Sequence, residues 1–347
     1  MLDKMSKQIK YGYIIILALL IVANIPVKAG VIVQDATGRT ISLNEAPSKI
    51  VSLSPSITEI LAYLDELDRV VGADSISLSD TWFNISSILK SRDVIDVGGY
   101  WWSTVKAEEI LRVNPDIVLA DKGAHVPLLD FFKNYNITVV YLAGGSSKSI
   151  QDVLSDFYTI AMLLNKTSLA DDFTIKLESE LGKYRDLITS KYKGVKVLIV
   201  VDLTSGIWVA GKGTYIDDIL ERLGLSNACS NIYSWSSISL EKVIELAPDI
   251  IVVTYTGSGS NTLKESGLTN LGKPIIVLNQ TETDIISRPG PLIIYAPQVI
   301  YNVLTRSNIT RVTGSEESSA YSVMVIIILV ALVALITIVL AKRYWKK

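Results

Sequence analysis

Glu108-Glu-Ile-Leu-Arg-Val-Asn-Pro115-Asp116-Ile-Val-Leu119 returns further along the chain as Glu241-Lys-Val-Ile-Glu-Leu-Ala-Pro248-Asp249-Ile-Ile-Val252. Each copy reads as a short helix, a Pro-Asp turn and a β-branched strand. A tryptophan, Trp102 or Trp235, stands six residues before each leading glutamate, so Trp, Glu, Pro and Asp share one offset of 133 residues. Helix-Pro-Asp-strand is a common α/β connection, but it does not demand a matched Trp and Glu. The pattern therefore predicts two lobes of one design.

The flanking sequence supports this. Lys49–Ser54, Val70–Ala73, Ile117–Ala120 and Thr138–Leu142 read as strands, with a helix starting at Ser56. The rhythm resumes with Val195–Val201, Ile250–Val253 and Ile275–Leu278, interleaved with helical stretches such as Tyr215–Leu223. Short apolar β-branched runs separated by helices are the signature of buried parallel strands, hence an α/β fold. Between the halves, Phe173, Leu177, Leu181, Tyr184 and Leu187 fall at helical spacing, which predicts one continuous amphipathic helix over 168–190. The expected lobes are 30–167 and 191–305.

The chain has 347 residues, 49% of them apolar and 20% charged, and a mean hydropathy of +0.37, too apolar for an ordinary soluble protein. The excess lies at the ends. Lys4, Lys7 and Lys10 precede the apolar run Ile14–Ala23 and the small-residue site Val27-Lys28-Ala29, which reads as a secretion signal over 1–29. No cysteine follows that run, so lipid attachment at a mature N-terminal cysteine is excluded. Residues 323–341 contain Thr337 as their only polar member and, as a helix of about 28 Å, are long enough to span a bilayer. Lys342, Arg343, Lys346 and Lys347 then place the tail, 342–347, in the cytoplasm and the bulk of the chain outside. Residues 306–322, rich in Ser, Thr and Glu, form a tether, and the sequons at Asn84, Asn136, Asn165, Asn279 and Asn308 suit a glycosylated exported surface.

From Gly30 to Ala341 there are 25 basic against 34 acidic residues, a balance of −9 that argues against nucleic acid. The single cysteine, Cys229, reads as a small buried residue, and His125, the single histidine, as a surface or pocket-edge residue. No metal or cofactor site is expected. Ser56-Ile-Thr-Glu59 reads as a capping box at a strand-to-helix turn. Gly206-Ile-Trp-Val-Ala-Gly211-Lys212-Gly213 nearly matches a phosphate-binding loop, but Gly213 replaces its Ser/Thr, and a turn presenting Trp208 fits better. There is no Gly-x-Ser-x-Gly elbow, and nothing points to an enzyme. Tyr100, Trp101, Trp102, Trp208 and Trp235 all fall in loop-like stretches; flat aromatic walls in a cleft between lobes suit a large, flat or greasy ligand.

Asp35-Ala-Thr-Gly-Arg39, Lys49-Ile-Val-Ser-Leu-Ser-Pro-Ser-Ile-Thr-Glu-Ile60, Val70-Val-Gly72, Val97-Gly98, the two Glu…Pro-Asp segments, Trp208-Val-Ala-Gly211 and Arg288-Pro-Gly-Pro291 occur in that order. Over about residues 31–305 this set resembles the periplasmic-binding-protein family that serves ABC importers of cobalamin, haem and iron-siderophores. The resemblance implies two Rossmann-like lobes joined by one long helix. It implies that Glu108 and Glu241 form salt bridges with arginines on the two subunits of an ABC permease dimer with its ATPase. It implies cleft aromatics at Trp102, Trp208 and Trp235, and a ligand contact at Arg288. Leu292 stands where many members carry a second arginine, a departure that weighs against an anionic siderophore. One histidine is too few for the zinc and manganese branch. The expected ligand is a corrinoid, or failing that haem or a ferric chelate. The expected place is the cell surface of a single-membrane, archaeal-type host, with membrane lipid around 323–341. A surface ligand sensor is the other reading, and its six-residue tail would need a membrane partner.

Overall fold

The computed structural model describes residues 30–254 and 259–308. The expected secretion signal, the expected membrane helix with its tail, and all but the start of the tether lie outside those residues. Among the described residues no helix is long and apolar enough to cross a membrane.

The chain opens with an antiparallel hairpin of β1 (Val31–Gln34) and β2 (Thr40–Leu43). β3 (Ile50–Ser52), β4 (Val70–Ala73), β5 (Ile95–Asp96), β6 (Ile117–Asp121) and β7 (Val139–Leu142) then build a parallel sheet in the order β5-β4-β3-β6-β7. β3, β6 and β7 are buried at every residue, which explains why they read as unbroken apolar runs with no polar alternation. Val51, Leu53, Val118, Ala120, Val139 and Tyr141 form one core with Ile110 and Phe132.

The second sheet contains β8 (Lys196–Asp202), β9 (Ile207–Ala210), β10 (Ser226–Asn227), β11 (Trp235–Ile238), β12 (Ile250–Val253) and β13 (Ile275–Val277). Its order is β11-β9-β8-β12-β13, with β10 also on β8. β8, β12 and β13 run parallel, whereas β9 and β11 run antiparallel to their neighbours. Its core gathers Leu198, Val200, Val209, Val243, Ile251, Val253 and Leu268 around Cys229, which is fully buried as expected.

The repeat is physical. Helices Ala107–Val113 and Leu240–Leu246 each end on a left-handed residue, Asn114 and Ala247, and each is followed by Pro-Asp and a central strand. The aspartates explain the motif: Asp116 Oδ2 accepts the Lys49 N–H and Asp249 Oδ2 accepts the Lys196 N–H, both at 2.8 Å. Each turn thereby pins the entering strand to the first strand of its own sheet.

Two compact units result. One comprises the described parts of Met1–Glu180 with Gly213–Ile219 and Gln280–Ala296; the other comprises the described parts of Leu181–Lys212, Leu220–Asn279 and Pro297–Lys347. The helix Thr167–Tyr192 carries the chain from one to the other, two residues longer at its C-terminal end than expected. Leu187 is exposed, and Ile188 takes its place in the buried row, because a 3.6-residue period continues Leu177, Leu181 and Tyr184 onto Ile188.

Candidate functional site

Every strand of the parallel sheet ends at one cavity of about 340 Å³. Ser54, Pro55 and Ser56 follow β3, Ile76 follows β4, Tyr100 follows β5, Asp121 closes β6 and Gly145 follows β7; Gln280, Ser287, Arg288 and Pro289 complete the wall. Strand order reverses between β3 and β6, so Ser54 and Asp121 flank the topological switch point, where open α/β sheets place ligands. All these residues belong to the first unit.

Asp121 organises one side. Its Oδ1 accepts the Gly123 N–H at 2.7 Å, and its Oδ2 accepts the Gly145 N–H at 2.7 Å and the Tyr100 hydroxyl at 2.6 Å. Gly144 turns the chain with φ +51°, and a Cβ there would overlap the Asp121 carboxylate, so glycine is required for the turn to close on it. Burial, and then the Asp121 charge, push the Tyr100 phenol far above its ordinary range, so it remains a donor. Tyr100 packs edge-to-face with Trp101 at 5.2 Å and with His125 at 5.7 Å between centroids. His125 is fully buried, contrary to the surface or pocket-edge expectation. Its Nδ1 accepts the Asp121 N–H, and burial holds the imidazole below its ordinary value, hence neutral.

Arg288 forms the other side. Its Nη1 donates to Glu59 Oε1 at 2.6 Å and to Asp80 Oδ2 at 2.7 Å, and its Nη2 lies 3.0 Å from Asp284 Oδ1. Glu59 and Asp80 are fully buried at the side chain. Burial pushes the Glu59 carboxyl up to about 8 against the pull of Arg288, and its Oε2 has no hydrogen-bond partner. Asp284 also accepts from Gln280 Nε2 at 2.8 Å and from Trp82 Nε1 at 3.1 Å, and Trp82 stacks on Tyr295. The capping-box expectation is thereby corrected: the helix Pro55–Tyr63 has Ser54 at its N-cap without a side-chain cap, and Glu59 turns inward to Arg288. The following Arg-Pro-Gly-Pro segment lies against that helix start. A Cβ on Gly290 would stand 3.1 Å from both Cβ and O of Ser56, so this approach favours glycine.

Residues 50–268 match the family described as periplasmic binding protein. This chain belongs to that family. An uncharacterized ABC transporter substrate-binding lipoprotein of Bacillus subtilis is 27% identical over 271 residues, covering 76% of this chain and 82% of its own. A cobalamin-binding protein of Halobacterium salinarum is 24% identical, covering 75% of this chain and 70% of its own. Among solved structures, the periplasmic heme-binding protein RhuT from Roseiflexus superposes with a TM-score of 0.57 at 23% identity, over 75% of this chain and 98% of that one.

Within this periplasmic binding protein, Tyr100 and Arg288 line the cavity and Trp101 adjoins it through Tyr100. Trp101 and Trp102 are 59% and 49% exposed. Trp208 and Trp235 belong to the second unit and are half-buried. They do not sit in loops: Trp208 lies within β9 and Trp235 opens β11, paired opposite Ser237 and Ala210. Serines flanking Trp235 hid the strand, and antiparallel pairing on the sheet edge supplied it. Trp102 by contrast starts a short 3-10 turn, so the two repeat tryptophans share an offset but not a conformation. Glu108 and Glu241 are the exposed second residues of their seven-residue helices. Hydrogen bonding by its own N–H and by Ser239 holds Glu241 below the ordinary carboxylate range. Sequence reasoning missed Asp121, Asp80, Asp284 and Trp82. For Asp121 a signal existed, an acid closing the apolar run Ile117–Ala120 just before Lys-Gly.

Proposed function

We propose that this protein is the solute-binding component of an ABC importer, held outside the membrane by residues 323–341, and that its ligand is a corrinoid or, failing that, haem or a ferric chelate. The observation that carries the reading is the cavity at the C-terminal ends of all five parallel strands, with Tyr100 in its wall and the exposed Trp101 against Tyr100. Large exposed aromatics beside a cavity gain most from burying a broad apolar face. The Halobacterium relative, named for cobalamin, and membership of the family support the ligand class. Glu108 and Glu241, matched in position and both exposed, are proposed to dock on arginines of the two permease subunits, with the tether raising the local concentration of binder at the permease.

The test is a titration of the full-length chain in detergent with cyanocobalamin and with haem, followed by tryptophan fluorescence. Quenching that saturates at micromolar ligand or below is expected, and silence with corrinoid, haem and ferric chelates alike would refute the reading. Glu108→Ala with Glu241→Ala should keep binding and lose uptake in cells. Lost binding would instead place these carboxylates at the ligand.

A further inference from the structure

Among the described residues Arg288 is the only cationic one lining the cavity, and it faces three carboxylates. Glu59 lies in the helix Pro55–Tyr63, Asp80 follows a 3-10 turn, and Asp284 lies one helical turn before Arg288 itself. A fourth carboxylate, Asp121, lines the opposite wall with its acceptor sites taken by Gly123, Gly145 and Tyr100. Even with Glu59 protonated, Asp80 and Asp284 outnumber the single guanidinium charge. The charge is spent, but the donors are not. A guanidinium has five N–H donors; Nη1 donates to Glu59 and Asp80, and Nη2 is ion-paired with Asp284. What remains can donate to an uncharged oxygen such as an amide carbonyl.

We infer that this cavity discriminates by charge: Arg288, neutralised by Glu59, Asp80 and Asp284, admits a ligand whose facing rim carries amide or hydroxyl groups and rejects one that carries carboxylates there. This rests on the solute-binding reading above and narrows its substrate class. A carboxylate entering the cavity meets surplus negative charge where burial weakens screening, and it loses its own hydration without an available cation in return. An amide gives up far less hydration and keeps a donor to pair with.

The test uses matched probes and the full-length chain in detergent. Cyanocobalamin is compared by calorimetry with its monocarboxylic acid, made by hydrolysing one peripheral propionamide, and haem is compared with its dimethyl ester. The uncharged member of the pair that binds is expected to bind at least tenfold tighter. Asp284→Asn, which removes one charge from the more exposed end of the cluster, is expected to shrink that ratio to threefold or less. The wild-type comparison stands by itself if this variant does not fold. Equal or tighter binding of the carboxylate member overturns the inference and leaves the solute-binding reading intact. An unchanged ratio in a folded Asp284→Asn overturns the assignment to this cluster. If no member of either pair binds and ferric chelates are silent too, the solute-binding reading itself fails.

Discussion

Replacing Glu59 by glutamine tests the charge state at the centre of the Arg288 cluster. Glutamine is nearly isosteric with a protonated carboxyl and keeps an Oε1 acceptor for Arg288 Nη1. In the wild type, burial pushes the Glu59 value from 4.5 to about 8, so between those pH values the folded chain holds a proton that the unfolded chain has released. The folded value is raised, so stability from this group is complete below pH 4.5 and is lost progressively as pH rises to 8. At about 1.4 kcal/mol per unit the full loss is on the order of 5 kcal/mol. Glu59→Gln has no proton to lose and so no such pH dependence. Burial also raises Asp156 to about 7 and Asp74 to about 6, but both are present in either protein and cancel in the difference. Urea unfolding of both full-length chains at pH 5, 6.5, 8 and 9 should show the variant gaining on the wild type as pH rises, with the gap levelling above pH 8. Parallel pH curves would refute the argument, because they would mean that Glu59 is ionised throughout and that the cluster carries two net negative charges.

Gly144→Ala should lower stability by about 1–3 kcal/mol, since its backbone is left-handed and the new methyl group overlaps the Asp121 carboxylate. The same change should weaken ligand affinity about tenfold by displacing Tyr100 and Gly145, and unchanged denaturation and binding would show that the turn can relax. Asp116→Ala and Asp249→Ala should each lower stability by about 1–3 kcal/mol, because each strips backbone N–H groups of an acceptor. Hydrogen exchange should rise at the Lys49 amide in the first variant and at the Lys196 amide in the second. Unaltered exchange at these amides would mean that water replaces the carboxylate without penalty.

What was legible in the sequence was local. The Pro-Asp repeat encodes a helix end, a turn and a strand within a dozen residues, and Val70–Ala73 and Ile250–Val253 appear at the boundaries their apolar runs predicted. The long helix was equally plain, apart from the drift that exchanges Leu187 for Ile188. What was not legible was the chemistry assembled across distance. Arg288 was expected to meet a ligand, but Glu59 and Asp80 lie 229 and 208 residues away from it, and no periodicity connects them. His125 carried no flanking pattern that distinguishes a surface imidazole from one packed behind Tyr100. Trp235 misled because serines break the apolar run of the edge strand β11, and Trp208 because the short run Ile207–Ala210 is set between glycines and read as a turn.

The first unit is built out of chain order. All five strands of its parallel sheet have been synthesised by Leu142, but Arg288 comes only after the whole second sheet. A nascent chain halted before residue 280 would thus hold Glu59 and Asp80 in a nearly finished interior without the guanidinium that pairs with them. The two ends of the folded region are in this way made interdependent: the N-terminal half can gather its strands early, yet reaches its final electrostatic state only when the last segment arrives. Truncation that reaches back past Arg288 should therefore damage the opposite end of the sequence as well.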